Sequence, residues 1–352
     1  MLWNTRCWSP HTLVGAVAPA QLAPLVDADR YAAILRLAER VAMPSYIACY
    51  ECRLGQGDPR TDFALCLFPG ANDASRLALN SLLRPHEGDP AWTRCVRFIE
   101  RWSSMDDVIL ARAPFLCIAF DLEAVDALPI PCMSVCVDSD YFARRIGLDV
   151  PQSAEELQEL SRACHVALHG HDFQPEPLAQ LQRLLGNVGD IEVKHVSFML
   201  SRTPAVAKVD VRLEVARLAD LLDRLEWRPG SSMAVQRAVR ELLPEQQHIQ
   251  LNLPLTPGFG SVLEAEFLAG QSQVSREARL AFLDRLVGAG LCAPAKAEVL
   301  AKAALEPLAP QNDGSTVARA WYVKVRFDGG MPSEAKAYLG LMPHRPAARR
   351  PD

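Results

Sequence analysis

The sequence lacks a surplus of basic residues, and it lacks any long apolar run. Its 352 residues include 37 lysines and arginines against 42 aspartates and glutamates, which gives a net charge of −5 at pH 7. Proteins that bind the phosphate backbone of nucleic acids need a basic surface, so this balance argues against such a partner. No stretch approaches the ~20 apolar residues that a membrane-spanning helix requires. We therefore expect a protein that binds neither nucleic acid nor a membrane.

The sequence also lacks the short motifs of common catalytic sites. It contains no Walker loop, no Gly-x-Ser-x-Gly elbow, no dinucleotide-binding fingerprint and no His-Glu-x-x-His zinc motif. Gly258-Phe259-Gly260 separates two strand patterns and is predicted to be their turn. His169-Gly170-His171-Asp172 has the composition of a metal site. It joins two predicted helices, however, where polar residues are expected, and we predict no metal there.

Ten cysteines are spread along the chain without a zinc-finger arrangement. Cys49 and Cys52 form a Cys-x-x-Cys pair, but no second pair follows at finger spacing. Several cysteines fall within predicted strands, so we expect buried, free thiols in a reducing cytoplasm. The apolar stretch from Leu13 to Val26 follows Arg6 and imitates a signal peptide. Because it is short and interrupted by proline, we predict a cytoplasmic protein.

Two hairpin patterns recur at the same offsets. Alternating residues 206–213 follow a turn predicted at Pro204, and alternating residues 334–341 follow a turn predicted at Pro332, with an Ala-Lys pair at the same distance from each proline. Such alternation places one row of side chains in apolar packing and exposes the other, lysine-bearing row to a wet environment. A recurring hairpin indicates an internal repeat, which determines the architecture.

The whole chain reads as five units of two helices followed by a strand hairpin, although the first helix of the first unit is poorly marked. A capping box, Ser153-x-x-Glu156, opens the third pair of helices. The predicted strands are residues 45–54 and 62–68, 115–123 and 131–138, 193–201 and 206–213, 248–255 and 261–268, and 320–328 and 334–341. The predicted helices are residues 30–42, 73–83, 90–103, 153–166, 176–186, 215–226, 232–243, 275–289 and 294–305.

The apolar strand residues fall on one phase, as in Leu116, Ile118 and Phe120. An open sheet of ten strands would expose its whole polar face, whereas closure removes both edges and encloses that face. We therefore predict an α+β fold, a closed ten-stranded antiparallel barrel that is polar inside and surrounded by an outer ring of helices. The alternative is an α+β sandwich with helices on one face. The predicted domains are an N-terminal segment 1–27, a single barrel domain 28–341 and a disordered basic tail 342–352.

This organisation resembles the PT barrel, the ABBA fold of the aromatic prenyltransferases, which include the dimethylallyl-tryptophan synthases. In that family, Lys-x-Tyr motifs on the second strands of successive hairpins line the lumen and hold the prenyl diphosphate. Lys336-Ala337-Tyr338 resembles one such motif, and Lys208-Val209-Asp210 resembles a half-kept one. Phe120-Asp121-Leu122 is similar to the Phe-Asp-Leu that opens the second hairpin. Glu51 lies on the first strand, where the family keeps the glutamate that accepts the indole proton.

The chain departs from the family pattern at several positions. Glu123 replaces the lysine after Phe-Asp-Leu. Cys132-Met133-Ser134 and Glu264-Ala265-Glu266 lie where the second and fourth hairpins should carry Lys-x-Tyr. The predicted lumen therefore mixes cations with carboxylates and neutral polar groups. Its predicted members are Lys208, Arg212, Lys324, Arg326 and Lys336, then Asp121, Asp138, Asp210, Glu264 and Glu266, and finally His248, Gln250 and Asn252.

These carboxylates conflict with a bound diphosphate, which carries about three negative charges and needs fixed cations or a metal. Three arrangements stay open. The cations of the third and fifth hairpins cluster on one side, a divalent ion such as magnesium bridges diphosphate and carboxylate, or the cavity binds another ligand. Apart from magnesium, no cofactor is expected.

The resemblance implies an enzyme that moves an allylic prenyl group from a diphosphate donor to an indole, phenol or peptide side chain. It implies Glu51 and Asp121 as catalytic residues. A different tailoring reaction in the same barrel, on a peptide or a cationic substrate, is one alternative, and a non-catalytic barrel that binds a small molecule is the other. The residues implied to bind the diphosphate are Lys208, Arg212, Lys324, Arg326, Lys336 and Tyr338.

Overall fold

Ten strands close into a barrel. The computed structural model describes residues 8–41, 43–67, 88–104, 107, 109–122, 129–137, 153–202, 206–268, 274–303 and 316–344. Each strand pairs with its neighbours along the chain, and the first pairs antiparallel with the last. The closed barrel is therefore confirmed and the open sandwich is excluded. The strands are β1 (Ile47–Arg53), β2 (Thr61–Leu67), β3 (Phe115–Phe120), β4 (Cys132–Cys136), β5 (Glu192–Met199), β6 (Val206–Glu214), β7 (His248–Pro254), β8 (Val262–Phe267), β9 (Thr316–Asp328) and β10 (Met331–His344).

Helices surround the barrel. The predicted helix 73–83 lies outside the described residues. The predicted helix 215–226 begins with the 3₁₀ turn Val215–Arg217 and becomes α-helical only at Leu218. The described α-helices are α1 (Pro10–Gly15), α2 (Pro19–Leu22), α3 (Ala28–Arg40), α4 (Pro90–Ser104), α5 (Ala154–His169), α6 (Pro175–Leu185), α7 (Leu218–Arg224), α8 (Ser232–Leu242), α9 (Arg276–Gly288) and α10 (Pro294–Ala303).

The hydrophobic core lies between the barrel wall and the helices. Because successive strand side chains point to opposite faces, one row of each strand faces outward. In β3 that row is Leu116, Ile118 and Phe120, which are 0–1% exposed. On the helix side, α4 contributes Trp92 and Trp102 to the same core. The predicted apolar phase is thus the outward phase, and the polar side chains are left to face the lumen.

Two local sequence features mark where structural elements begin or turn: the capping box before α5 and the glycine pair between β9 and β10. The predicted capping box is present at the start of α5, where Ser153 Oγ accepts from the Glu156 N–H at 3.2 Å and Glu156 Oε2 accepts from the Ser153 N–H at 3.1 Å. The fifth hairpin turns at Gly329-Gly330, whose φ angles of 57° and 87° favour glycine. The prediction of a turn at Pro332 is therefore wrong, since Pro332 lies within β10 beside a register shift. Pro204 lies outside the described residues.

The apolar stretch that imitates a signal peptide is packed into the core. Leu13, Val14 and Leu22 are at most 1% exposed, and Tyr31 Oη of α3 donates to the Val17 carbonyl at 2.9 Å. The division into segments 1–27, 28–341 and 342–352 stays a prediction, and residues 345–352 lie outside the described ones. Among the helices that the structure describes, none combines the length and apolar composition that crossing a bilayer requires.

The prediction of free thiols is wrong for one pair of cysteines. Cys66 and Cys117 lie directly opposite each other on β2 and β3, with Cα atoms 4.2 Å apart, and form a disulfide. Sequence spacing does not reveal this pair, because it depends on the register between two strands joined by a long connection. The described cysteines outside this disulfide are all buried, and they are Cys49, Cys52, Cys95, Cys132, Cys136, Cys164 and Cys292.

Candidate active site

The two halves of the lumen wall differ in size and charge. Ala64, Cys66, Cys117, Ala119 and Ser134 follow the inward phase of β2 to β4, opposite in phase to the buried outward residues. Strands β6 and β8 to β10 place long charged side chains on the same face. Apart from Asp62 and Phe115, the wall is therefore lined by small side chains on the side of β2 to β4 and by charged ones on the other. The inward-facing members of the charged side are Lys208, Asp210, Arg212, Glu264, Glu266, Tyr322, Lys324, Arg326, Glu334, Lys336 and Tyr338.

Charges of alternating sign form a connected chain in this lumen. Arg53 on β1 contacts Glu51 at 2.6 Å, and Lys336 Nζ on β10 lies 3.2 Å from the same Glu51 oxygen. Lys336 Nζ also lies 3.6 Å from Glu264 on β8, whose second oxygen is 3.2 Å from Lys208 Nζ on β6. Glu264 thus reaches over β9 on one side and over β7 on the other. The cations of the third and fifth hairpins meet at this one carboxylate.

A second ion pair and two stacked rings lie beside this chain. Lys324 Nζ is 2.9 Å from Glu266, and both side chains are at most 10% exposed. The rings of Tyr322 and Tyr338 stack with centroids 4.6 Å apart and an angle of 3° between their planes. Lys324 Nζ lies 5.2 Å from the Tyr338 centroid, within the range of a cation–π contact. The site therefore contains an aromatic surface that tolerates positive charge.

Three of the predicted site residues lie apart from this cluster. Arg326 contacts Glu334 at 3.9 Å near the β9–β10 turn, and its side chain is 41% exposed. Arg212 is four residues from Lys208 along β6, roughly 13 Å at 3.3 Å per residue, and its buried Nε has no hydrogen-bond partner among the described residues. Asp121 accepts from Ser201 Oγ at 3.0 Å. The structure therefore brings together Glu51, Lys208, Lys324, Lys336 and Tyr338.

Asp62 is a candidate acid–base group that the sequence analysis missed. It lies opposite Glu51 in the β1–β2 register and accepts from the Leu122 N–H at 2.8 Å. Burial raises the pKa of Asp62 to about 6, and the negative charge of Glu51 adds to this shift. Burial also acts to raise the pKa of Glu51, but the positive charges of Lys336 and Arg53 outweigh it and hold that pKa at about 2. Asp62 alternates with the outward-facing Phe63 along β2, and this alternation was the sequence signal that could have placed Asp62 in the lumen.

Burial shifts the other ionisable groups of the cluster in different directions. It lowers the pKa of Lys208, although Glu264 acts in the opposite sense. Burial raises the pKa of Glu266; the positive charge of Lys324 opposes this shift, and the negative charge of Asp210 adds to it. Burial also acts to raise the pKa of Glu264, but Lys208, Lys324 and Lys336 together hold it well below its usual value. At neutral pH Glu264 is therefore a fixed negative charge between two lysines.

Comparison with solved structures defines the class of fold. No family model matches the sequence, and no curated protein matches it. The chain has the PT-barrel fold of the aromatic prenyltransferases, as predicted, and the likeness extends over nearly its whole length. The structure of 6-dimethylallyltryptophan synthase from Micromonospora olivasterospora in complex with DMASPP and Trp matches 95% of this chain and 96% of its own, with a TM-score of 0.56 and 13% identity.

Two further structures give the same result. AnaPT from Neosartorya fischeri matches 96% of this chain and 92% of its own, with a TM-score of 0.54 and 15% identity. The apo form of the prenyltransferase PriB matches 95% and 94%, with a TM-score of 0.54 and 14% identity. At these identities the comparison establishes the fold, and the chemistry has to be argued from the residues of this chain.

Proposed function

We propose that this protein transfers a prenyl group from an allylic diphosphate to an electron-rich aromatic acceptor, an indole, a phenol or a peptide side chain. The observation that carries the proposal is the meeting of Lys336 and Lys208 at one carboxylate, next to stacked tyrosines, inside a PT barrel. Two neighbours of the same fold support it: PriB was solved with the product diphosphate, and the Micromonospora synthase was solved with DMASPP and Trp. We keep the cytoplasm as the proposed location.

In this proposal the lysines bind the donor and balance its leaving group. The bond between the allylic carbon and the diphosphate oxygen breaks, and the electron pair leaves with the diphosphate. Lys208, Lys324 and Lys336 stabilise the charge that develops on that oxygen. Arg212 and Arg326, which lie apart, would act only on a ligand that extends towards them. The rings of Tyr322 and Tyr338 shield the allylic cation from water.

A carboxylate removes the proton that the aromatic ring loses. The new bond forms between the allylic cation and a ring carbon, and the proton on that carbon passes to a base. Asp62 has the better matched pKa, since general bases work best near the ambient pH. Glu51 and Asp121 are the other candidates. A PT barrel used for a different tailoring reaction remains the second proposal, because Glu51, Glu264 and Glu266 make this lumen suitable for a cationic substrate.

The test is a direct assay. The protein is incubated with dimethylallyl or geranyl diphosphate and a mixture of indoles, phenols and tryptophan peptides, with and without magnesium, and released diphosphate and product mass are measured. Both magnesium conditions are needed, although the described residues include no group of three or more His, Cys, Asp or Glu side chains that could hold a metal ion. Prenylated product supports the proposal. If diphosphate is neither released nor bound in calorimetry, the proposal is wrong.

The pH dependence of prenyl transfer distinguishes Asp62 from Glu51 as the catalytic base. A base with a pKa of about 6 loses function as it is protonated, so we expect wild-type turnover to fall as the pH drops through 6. Asp62→Asn should lower kcat by about tenfold or more and remove that fall. Glu51→Gln keeps Asp62 as the base, so it should keep the fall but move it to lower pH, because the Glu51 charge no longer raises the pKa of Asp62. An unchanged pH profile in Asp62→Asn would assign the base elsewhere.

Replacing Glu264 should strengthen donor binding. The Glu264 carboxylate occupies the two lysines that the diphosphate needs, at 3.2 and 3.6 Å. Glu264→Gln keeps the shape and removes the negative charge, so we expect inorganic diphosphate to bind about tenfold more tightly, a gain of about 1.4 kcal/mol. Calorimetry on wild type and variant measures this. Glu298→Gln, on α10, is a control of the same type outside the lumen and should leave the affinity unchanged.

A further inference from the structure

Asp210 is a buried carboxylate in the lumen that forms no ion pair with a lysine or arginine among the described residues. The residue is 6% exposed and lies on β6 between Lys208 and Arg212. Lys208 is paired with Glu264. Lys324 forms its ion pair with Glu266, and its charge acts on Asp210 only from beyond ion-pair distance. Among the described residues, the one ionisable nitrogen within ion-pair distance of Asp210 is His195 Nδ1, at 3.8 Å from Oδ2. A carboxylate removed from water needs a cation or hydrogen-bond donors, and this one is incompletely supplied.

Asn252 places an unpaired acceptor beside that carboxylate. It lies opposite Asp210 in the β6–β7 register and is 5% exposed. Its Nδ2 donates to Asp210 Oδ1, which fixes the orientation of the amide. Asn252 Oδ1 is left buried, and no donor among the described residues reaches it. Because both atoms belong to one amide group, the orphan oxygen lies next to the Asp210 carboxylate, and buried polar atoms without a partner are rare.

Together these atoms form a corner in which hydrogen-bond acceptors outnumber the donors that the described residues supply. The chemistry that satisfies it is a cation that carries N–H groups. A primary ammonium donates three hydrogen bonds and accepts none, so it matches Asp210 Oδ2 and Asn252 Oδ1 and leaves one donor for the carbonyl or carboxylate groups around them. We propose that Asp210 and Asn252 bind a protonated amino group of the acceptor substrate. This inference rests on the proposed function, since it assigns the acceptor to the lumen.

The position of this corner fits that role. Asp210 is two residues from Lys208 on the same face of β6, roughly 7 Å along the strand. Asn252 lies opposite Glu264 in the β7–β8 register. An ammonium bound here therefore lies next to Lys208, Lys324 and Lys336, the lysines assigned to the donor diphosphate, without occupying the same position as the diphosphate. The site would select an aromatic amine over the uncharged analogue of the same shape.

The experiment compares two probes that differ in one group. Tryptamine carries an ammonium where tryptophol carries a neutral hydroxyl, and both are titrated by calorimetry into wild type, Asp210→Asn and Asp284→Asn. Asp284 is an exposed residue on α9 and serves as the matched control. We expect wild type and the control to bind tryptamine at least tenfold more tightly than tryptophol. Asp210→Asn should lose that preference and keep its affinity for tryptophol within about twofold. Equal binding of the two probes by wild type, or binding of neither, would overturn the inference.

Thermal melting gives a readout that needs no ligand. Because no described lysine or arginine forms an ion pair with Asp210, Asp210→Asn should melt at the same temperature as wild type or higher. Tryptamine should raise the melting temperature of wild type more than that of the variant. A lower melting temperature in Asp210→Asn would mean that the charge is compensated and would contradict the inference. The two proposals can fail separately. If the protein prenylates acceptors with and without an amine equally well, the proposed function holds and the amine site is wrong. If it prefers tryptamine but releases no diphosphate, the amine site holds and the proposed function is wrong.

Discussion

Lys336→Met should abolish diphosphate binding at millimolar concentration and lower prenyl transfer by about 100-fold to 1,000-fold, the range found when one fixed donor to a developing charge is removed. Lys336 Nζ joins the two halves of the charge chain, since it lies 3.2 Å from Glu51 and 3.6 Å from Glu264. Methionine keeps most of the length of the side chain and removes the charge. The donor would then face two carboxylates without the lysine between them.

The measurements are calorimetry with inorganic diphosphate and turnover at saturating acceptor. Lys302→Met changes an exposed lysine at the end of α10 and is the control, for which we expect wild-type values. The double variant Lys336→Met/Glu264→Gln should recover part of the diphosphate affinity that Lys336→Met loses, because it also removes one of the two carboxylates. Wild-type diphosphate affinity in Lys336→Met would show that the donor does not bind at this lysine.

The strand phases could be predicted from sequence because they are a local property. Outward-facing Val323, Val325 and Phe327 alternate with inward Lys324 and Arg326, and either face can be assigned without knowing which strands are neighbours. Closure followed from the number of strands and the cost of open edges. The PT-barrel architecture was therefore accessible from periodicity, and the phase of Lys336 and Tyr338 was accessible with it.

The pairing of the luminal charges could not be predicted in the same way. Glu264 contacts Lys336 two strands away on one side and Lys208 two strands away on the other, and such contacts depend on the stagger of the closed barrel. The cross-strand bond of Cys66 and Cys117 has the same origin. The strand phase of Asp62 could be predicted from sequence, but its position opposite Glu51 depends on the register between β1 and β2. Asp62 was missed for that reason.

Arg53→Met should destabilise the folded state by about 3 kcal/mol or more, which is the cost of removing one partner from a buried ion pair. Arg53 is 13% exposed and compensates three carboxylates, Glu51 at 2.6 Å, Glu334 at 3.2 Å and Asp62 at 3.4 Å. Its loss leaves all three facing one another at the end of the lumen. Urea unfolding at pH 7 measures the effect, and Arg60→Met, which removes an exposed partner of Asp58, should cost less than about 1 kcal/mol.

The pH dependence of the free energy of unfolding identifies why Arg53→Met is less stable. The folded-state pKa of Glu51 is lowered to about 2, so its contribution to stability is present above its unfolded value and is lost as the pH falls through 2. Arg53 is one source of that lowering, and the deficit of Arg53→Met should therefore be largest at neutral pH and shrink as the pH is lowered from about 4.5 towards 2. A deficit that stays constant over this range would come from lost packing of the arginine side chain. In that case the charge chain would not hold this end of the barrel together.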